Sequence, residues 1–128
     1  KLPENKPRHL LGIGYPEDIP EIIKMGVDTF DCIEPTHYAR HGVAFIHSPK
    51  PGFGYEKLDM AKSSLLADKN PLDKKCGCFV CQNYRRNYIS HLFRAKEITA
   101  LKLLTFHNLY FFNSYIEKIR QKIKDGII

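Results

Sequence analysis

All eight prolines of this 128-residue chain lie at or before Pro71, and beyond Gly77 the only glycine is Gly126. Proline lacks a backbone donor and clashes with the preceding helical turn, and glycine loses backbone entropy when it is fixed in a helix. The first seventy residues are therefore expected to form short elements joined by loops, and the remainder to be mostly helical. The length fits one domain. At 43% hydrophobic and 27% charged, the chain has enough apolar material for a core and is not of the disordered class. No run approaches the ~18 apolar residues of a membrane span. The chain opens Lys1-Leu2-Pro3-Glu4-Asn5, without an initiator Met or a signal-peptide stretch, as expected of a piece of a longer protein. Lys+Arg 20 against Asp+Glu 14 gives a formal charge of +6 and a pI near 9.2. That excess suits a polyanionic partner, although proteins that bind nothing acidic also carry it.

Within the first half, His9-Leu10-Leu11-Gly12-Ile13-Gly14 is short and apolar enough for a buried strand. Pro16-Glu17-Asp18 has the residues of a helix start, with Ile19, Ile22 and Ile23 on one face and Gly26 as the C-terminal cap. Val27 to Ile33 is expected as a second strand, completing a βα unit of a parallel sheet. A short strand at Val43–Ile46 and pairing around Phe53–Leu58 follow. In the second half, Tyr84 to Arg94 forms one helical pattern, and Lys96 to Asp125 forms one long helix or two. Leu109, Phe112, Ile116, Ile119 and Ile123 supply an amphipathic stripe. Lys118, Arg120, Lys122 and Lys124 fall near its end, where cations complement the helix dipole.

Three of the four cysteines crowd into Cys76-Gly77-Cys78-Phe79-Val80-Cys81. Without a secretory signal, such a trio points to a metal site in a reducing cytosol rather than to disulfides. Zinc takes four soft or borderline ligands in a tetrahedron, and one turn can supply three of them. His91 and His107 are the helical candidates for the fourth, and spacing alone does not choose between them. Three cysteines and a histidine would close the coordination sphere and make the site structural.

Asp31 stands in Thr29-Phe30-Asp31-Cys32-Ile33, near the end of the expected second strand. An aspartate there is either a hydrogen-bonded structural group or a functional one, because α/β barrels gather function at strand ends. Gly12-Ile13-Gly14 lacks the third glycine of a dinucleotide fingerprint, Glu17 standing in its place, so it is expected to be a tight strand-to-helix turn. Pro35-Thr36-His37-Tyr38-Ala39-Arg40-His41-Gly42 looks like a polar loop suited to a nucleic-acid backbone, or an ordinary surface loop. Tyr84, Tyr88 and His91 share a helical face and serve either a core or a subunit contact.

Taken in order, these segments resemble the C-terminal part of the tRNA-guanine transglycosylases (queuine tRNA-ribosyltransferases). The resemblance rests on Leu10-Leu11-Gly12-Ile13-Gly14, Pro16-Glu17-Asp18, Gly26-Val27-Asp28-Thr29-Phe30-Asp31-Cys32, Pro35-Thr36, Arg40, Gly42, Pro71-Leu72-Asp73, the cysteine trio, Tyr88, His91-Leu92 and Thr105-Phe106-His107-Asn108-Leu109. It implies an α/β fold: the C-terminal portion of an irregular (β/α)8 barrel. Residues 1–46 would form the last βα units with the nucleophile strand. Residues 47–128 would form an inserted zinc-binding subdomain and closing helices. It implies a structural Zn2+ on Cys76, Cys78, Cys81 and His107, and makes His91 an interface residue.

By the same resemblance Asp31 is the nucleophile. It would displace guanine from the anticodon of tRNA, form a covalent Asp–ribose intermediate and yield to a 7-deazaguanine base, preQ1 or queuine, in queuosine biosynthesis. Leu11 and Gly12 would line the base pocket. Thr36 and Arg40 would lie in the loop that holds the anticodon arm. Tyr84, Tyr88 and His91 would join a homodimer. The chain departs from the family at His37, where Arg is usual, and at Tyr15, where some members have Lys. The family's general acid/base Asp, its base-recognition Asp and its Gly-rich loop would lie upstream of Lys1, so this piece is expected to be inactive alone. Rival readings are a non-catalytic partner subunit of the family, a relative acting on DNA or elsewhere in tRNA, and a zinc-dependent tRNA-binding module.

Overall fold

A computed structural model describes residues 2–50 and 54–127. It shows a mixed α/β chain with two small sheets packed along one long helix. The first sheet pairs β1 (His9–Leu10) with β2 (Thr29–Phe30) in parallel, with His9 opposite Thr29, and α1 (Ile19–Lys24) makes the crossover. Both strands are shorter than their apolar runs predict, because the chain bends after Leu10 and again after Phe30. Helix α1 starts at Ile19, after a turn closed by Asp18 N–H to Tyr15 C=O. Gly26 ends it as expected. With φ at +91°, Gly26 N–H bonds Ile23 C=O and Val27 N–H bonds Ile22 C=O, the paired closure that a left-handed residue permits.

The segment after β2 differs from the expected loop: Glu34–Arg40 is a helix, α2. Pro35 opens it at a position where no N–H is needed, and buried Pro35 and Ala39 lie one turn apart on its inner side. Gly42, with φ at +77°, then turns the chain into β3 (Val43–His47). An added Cβ there would sit 2.3 Å from the Phe93 ring. β3 pairs antiparallel with β4 (Tyr55–Asp59), Phe45 opposite Lys57. The expected pairing around 53–58 is met by β4; Phe53 itself lies outside the described residues.

After a 3-10 turn at Ser63–Ala67 come α3 (Phe79–Asn83), α4 (Arg86–Arg94) and α5 (Ile98–Lys124), a single 27-residue helix. Tyr84 lies outside α4, as the extended cap of α3, so it does not share a helical face with Tyr88 and His91. The buried side of α5 is also rotated from the expected stripe. Leu104, His107, Asn108, Phe111, Phe112, Tyr115 and Ile119 are buried, whereas Leu109 and Ile123 are each 42% exposed. The aromatic residues Phe111 and Tyr115 replace those two in the core.

Two apolar clusters divide the interior, and the pleat of β3 feeds both. Ala44 faces the cluster of Met60, Leu72, Val80, Ile89 and Leu104, while Phe45 faces that of Ile19, Phe111, Phe112 and Ile119. Helix α5 passes from one cluster to the other at His107 and Asn108. No helix among the described residues is long and apolar enough to cross a membrane.

Candidate functional site

The cysteine trio folds back on itself before α5 arrives. Cys76 N–H bonds Asp73 C=O, and Cys78 caps α3, its sulfur accepting the Cys81 N–H at 3.4 Å. Helix α5 brings His107 to the same point. Its Nδ1 lies 3.8 Å from the sulfur of Cys76, 3.5 Å from that of Cys78 and 3.4 Å from that of Cys81. All four donor atoms fall within 4.8 Å of one another. A tetrahedral zinc with bonds of about 2.3 Å to sulfur and about 2.0–2.1 Å to nitrogen would set each sulfur about 3.6 Å from the nitrogen. The donor set therefore fits such an ion. Cys78, Cys81 and His107 are buried and Cys76 is half-buried, whereas His91 is exposed on α4 and does not join them.

The other ring nitrogen decides the tautomer. His107 Nε2 stands 2.7 Å from the carbonyl oxygen of Phe45, which can only accept, so Nε2 carries the proton and Nδ1 keeps a lone pair for the metal. Hydrogen bonds from Cys76 and Cys81 hold the Cys78 thiol well below the usual range, and hydrogen bonds with Cys76 and Cys78 push Cys81 up. Burial opposes a charge on His107, but the sulfurs of Cys76 and Cys78 outweigh it and raise the ring to about 9. A cation entering this group displaces the protons that these donors otherwise share.

Polar side chains surround the centre and seal the outer edge of β3. Asn108 accepts the Phe45 N–H at 3.0 Å and donates to the carbonyls of Pro35 and Val43. Asp73 accepts both the backbone N–H of His47 and its ring Nδ1, and Lys118 Nζ donates to His47 Nε2 at 2.9 Å. Burial alone would raise Asp73, but these bonds from His47, with another from Lys75 N–H, hold it below the usual carboxylate range. The roles of Asn108 and Asp73 carry no signature in sequence beyond their neighbours His107 and Cys76.

Asp31 lies elsewhere, directly after β2. Its Oδ1 accepts the N–H of Gly12 at 2.8 Å, across the parallel pair. Leu11, Gly12, Asp31, Cys32 and Ile33 line one open depression of about 360 Å³. Three of the residues singled out from sequence thus meet there. Gly12 has φ at +70°. Gly14 lies against Cys32: an added Cβ would sit 2.2 Å from the Cys32 sulfur, so a small residue is required. Burial pushes the Cys32 thiol up.

Thr36 and Arg40 do not line this depression. Thr36 Oγ1 donates to Ile33 C=O within α2, and Arg40 is exposed at the far end of that helix, against Phe93 and Leu101. Tyr15 and His37 are exposed. Tyr84 and Tyr88 stack at 5.8 Å with their rings 12° apart, and Phe79 meets both Tyr84 and Phe106 edge-on. Phe79 and Phe106, each at least half exposed, enlarge an aromatic surface that the sequence reading confined to Tyr84, Tyr88 and His91.

Comparison with known proteins bears on the whole chain. Residues 1–128 match the family model described as queuine tRNA-ribosyltransferase. The queuine tRNA-ribosyltransferase of Halothermothrix orenii is 48% identical over 127 residues, which are 99% of this chain and 32% of that protein. That of Caldanaerobacter subterraneus is 46% identical over 123 residues, 96% of this chain and 31% of its own length. The putative queuine tRNA-ribosyltransferase of Archaeoglobus fulgidus is 42% identical over 128 residues, covering 98% and 32%. The chain spans about a third of the length of the curated relatives it matches.

Proposed function

The chain belongs to the queuine tRNA-ribosyltransferase family, and from that premise we propose that it is part of a tRNA-guanine transglycosylase. Such an enzyme is a pentosyltransferase that replaces guanine in the anticodon of GUN tRNAs by preQ1 or queuine, in queuosine biosynthesis. The observation that carries this reading is the setting of Asp31. One carboxylate oxygen is fixed by Gly12 N–H. Among the described residues no hydrogen bond engages the other, and both sit over an open depression lined by Leu11 and Gly12.

In the proposed reaction a carboxylate oxygen of Asp31 bonds to the ribose C1′ of the target nucleoside. The C1′–N9 bond breaks, and its electron pair leaves with guanine, which takes up a proton. The incoming 7-deazaguanine loses its N9 proton and bonds to C1′ as the Asp31–C1′ bond breaks and the carboxylate is restored. Two displacements at one carbon retain configuration, as at a retaining glycosidase. The Gly12 N–H orients the nucleophile, and Leu11, 72% exposed, offers an apolar surface to the base. Among the described residues Asp31 is the only carboxylate lining the depression. The acid that protonates guanine is therefore expected from outside this chain, and the chain alone is expected to be inactive.

Cys76, Cys78, Cys81 and His107 would hold a structural zinc, which when bound supplies a cross-link with no open coordination position. Residues 1–46 would be the last βα units of the barrel and residues 47–128 the zinc subdomain with closing helices, joined through β3. Thr36 and Arg40 would contact the anticodon arm from α2. A homodimer would form through Tyr84, Tyr88 and His91, in the cytoplasm where tRNA is modified. A chimera carrying these 128 residues in place of the matching segment of the Halothermothrix relative tests the assignment. It should exchange labelled guanine into GUN tRNA, and Asp31→Asn should abolish both exchange and the covalent RNA adduct. A folded chimera that binds tRNA without exchange would instead favour a non-catalytic tRNA-binding or partner subunit. Exchange by the isolated 128 residues would overturn their expected inactivity.

A further inference from the structure

We propose that His37 and His41, one turn apart on α2 and its C-cap, form an exchangeable site for a divalent transition metal ion such as Ni2+ or Cu2+. The site is separate from the cysteine–histidine group and independent of the transglycosylase reading. Side chains at i and i+4 are neighbours on a helix surface, and both of these are exposed. Their ring centres lie 4.5 Å apart, with the planes tilted by 42°. Two imidazoles bound at about 90°, with bonds of about 2.1 Å, set their centres about 4.5 Å apart, against about 5.2 Å at a tetrahedral angle. The spacing therefore suits the right-angled positions of a tetragonal or octahedral ion better than tetrahedral zinc.

The end of α2 also fixes the tautomer of His41. Its backbone N–H turns to the carbonyls of Tyr38 and Ala39. The His37 carbonyl thus loses the donor it would have in a longer helix, and His41 Nδ1 stands 2.8 Å from that oxygen. A carbonyl only accepts, so Nδ1 carries the proton and Nε2 keeps a lone pair for the metal. This is the outer hydrogen bond that metal-bound histidines ordinarily make. The His37 ring meets His41 and, edge-on at 5.7 Å, Tyr38. Among the described residues no hydrogen bond or ion pair engages it. Lys57 lies nearby but is engaged with the Tyr38 hydroxyl and ring.

Among the described residues only Cys76, Cys78, Cys81 and His107 make a metal group of three or more. His37 and His41 therefore supply two ligands and leave the remaining positions to water, which makes the ion exchangeable. The pair depends on His37, at the position where Arg is usual in the family, so the family resemblance does not supply it. Helix α2 has seven residues, short for a helix to hold by itself. An ion bound to both rings fastens its last turn.

The test is calorimetric titration of the zinc-loaded chain with NiCl2, with zinc release followed in parallel. About one nickel per chain should bind without releasing zinc, and should raise the thermal midpoint as its concentration rises. His41→Gln and His37→Arg should each weaken binding by about 10–100-fold or more, since a lost ligand costs no less than a lost outer partner. His37→Arg carries the residue usual in the family, and so removes a ligand without removing the fold. His9→Gln, at an exposed histidine outside the pair, should leave nickel affinity unchanged. Nickel that binds only as it expels zinc would overturn the proposal. So would affinity retained in His37→Arg, or lost in His9→Gln as fully as in His41→Gln. Absence of nickel binding by the unsubstituted chain would overturn it outright.

Discussion

Asp31 and His107 are each fixed by one backbone partner, Gly12 N–H for the carboxylate and Phe45 C=O for the imidazole. Their surroundings are opposite. Asp31 follows a two-residue strand paired with another of two residues, and it is exposed beside an exposed Leu11. His107 sits in the middle of a 27-residue helix, fully buried, with three sulfurs on one side of the ring and a strand on the other. The nucleophile proposed above would have to meet a large substrate, and Leu11 and Gly12 beside it line an open depression. Metal donors lose their protons and hold their geometry best away from water, so they recruit the longest helix and the tightest turn. The proposed chemistry thus falls on the least enclosed elements, and the candidate metal group on the most enclosed ones.

The difference can be broken most severely at the metal centre. Purified chain should carry about one zinc by mass spectrometry, and Cys78→Ala or His107→Ala should abolish it. Structural zinc contributes on the order of 10 kcal/mol in small domains, so these variants should also lose much of their helical circular dichroism. Next comes Asn108→Ala, which strands the Phe45 N–H and the carbonyls of Pro35 and Val43 in the interior. Orphaned buried groups cost about 1–3 kcal/mol each, and urea unfolding should show a loss of about 3 kcal/mol or more with zinc retained. Tyr115→Phe probes the second cluster, where the hydroxyl donates to Pro16 C=O at 2.7 Å. It should cost about 1 kcal/mol. Burial first, and the charge of Glu17 second, push the Tyr115 hydroxyl up to about 12 from 10.0. The neutral phenol is thus favoured by folding, so its contribution is whole below pH 10 and lost as pH rises toward 12. Tyr115→Phe should flatten the fall in stability over that window. Smallest is Asp31→Asn, whose effect on unfolding should stay within about 0.5 kcal/mol, as for other exposed positions, even though exchange by the chimera should vanish. A large destabilisation by Asp31→Asn would make Asp31 a structural group and erase the contrast.

What could be read in advance follows how far apart the interacting residues lie. The cysteine trio spans six residues and announces a metal group on its own. The parallel pairing of the segments at residues 9 and 29 is legible because a helix with its own glycine stop lies between them. Helix α2 is hidden, since its buried face consists of Pro35 and Ala39 alone and neither makes an apolar stripe. The orientation of α5 is misjudged by a quarter turn because Phe111 and Tyr115 compete with Leu109 and Ile123, and distant partners such as Phe45 and Pro16 decide between them. Asn108 enters the sequence reading only as a member of the family resemblance, without a role: its partners Phe45, Val43 and Pro35 lie 63 to 73 residues away, and all three are backbone atoms with no side-chain identity to detect. Lys96, between α4 and α5, is hidden for a related reason: its left-handed backbone, with φ at +57°, is a property of the corner and not of the residue.

The sealed edge of β3 has a consequence for the protein's life in a crowded cell. An uncovered strand edge is a template on which another chain can add a strand and begin to aggregate. Along β3 that template is occupied by Asn108, Asp73 and the His107 ring, and the last of these three guards belongs to the candidate metal group. Loss of a metal from that group would loosen His107 and with it the guard at Phe45, so an exposed strand edge would accompany the loss of helical structure expected above.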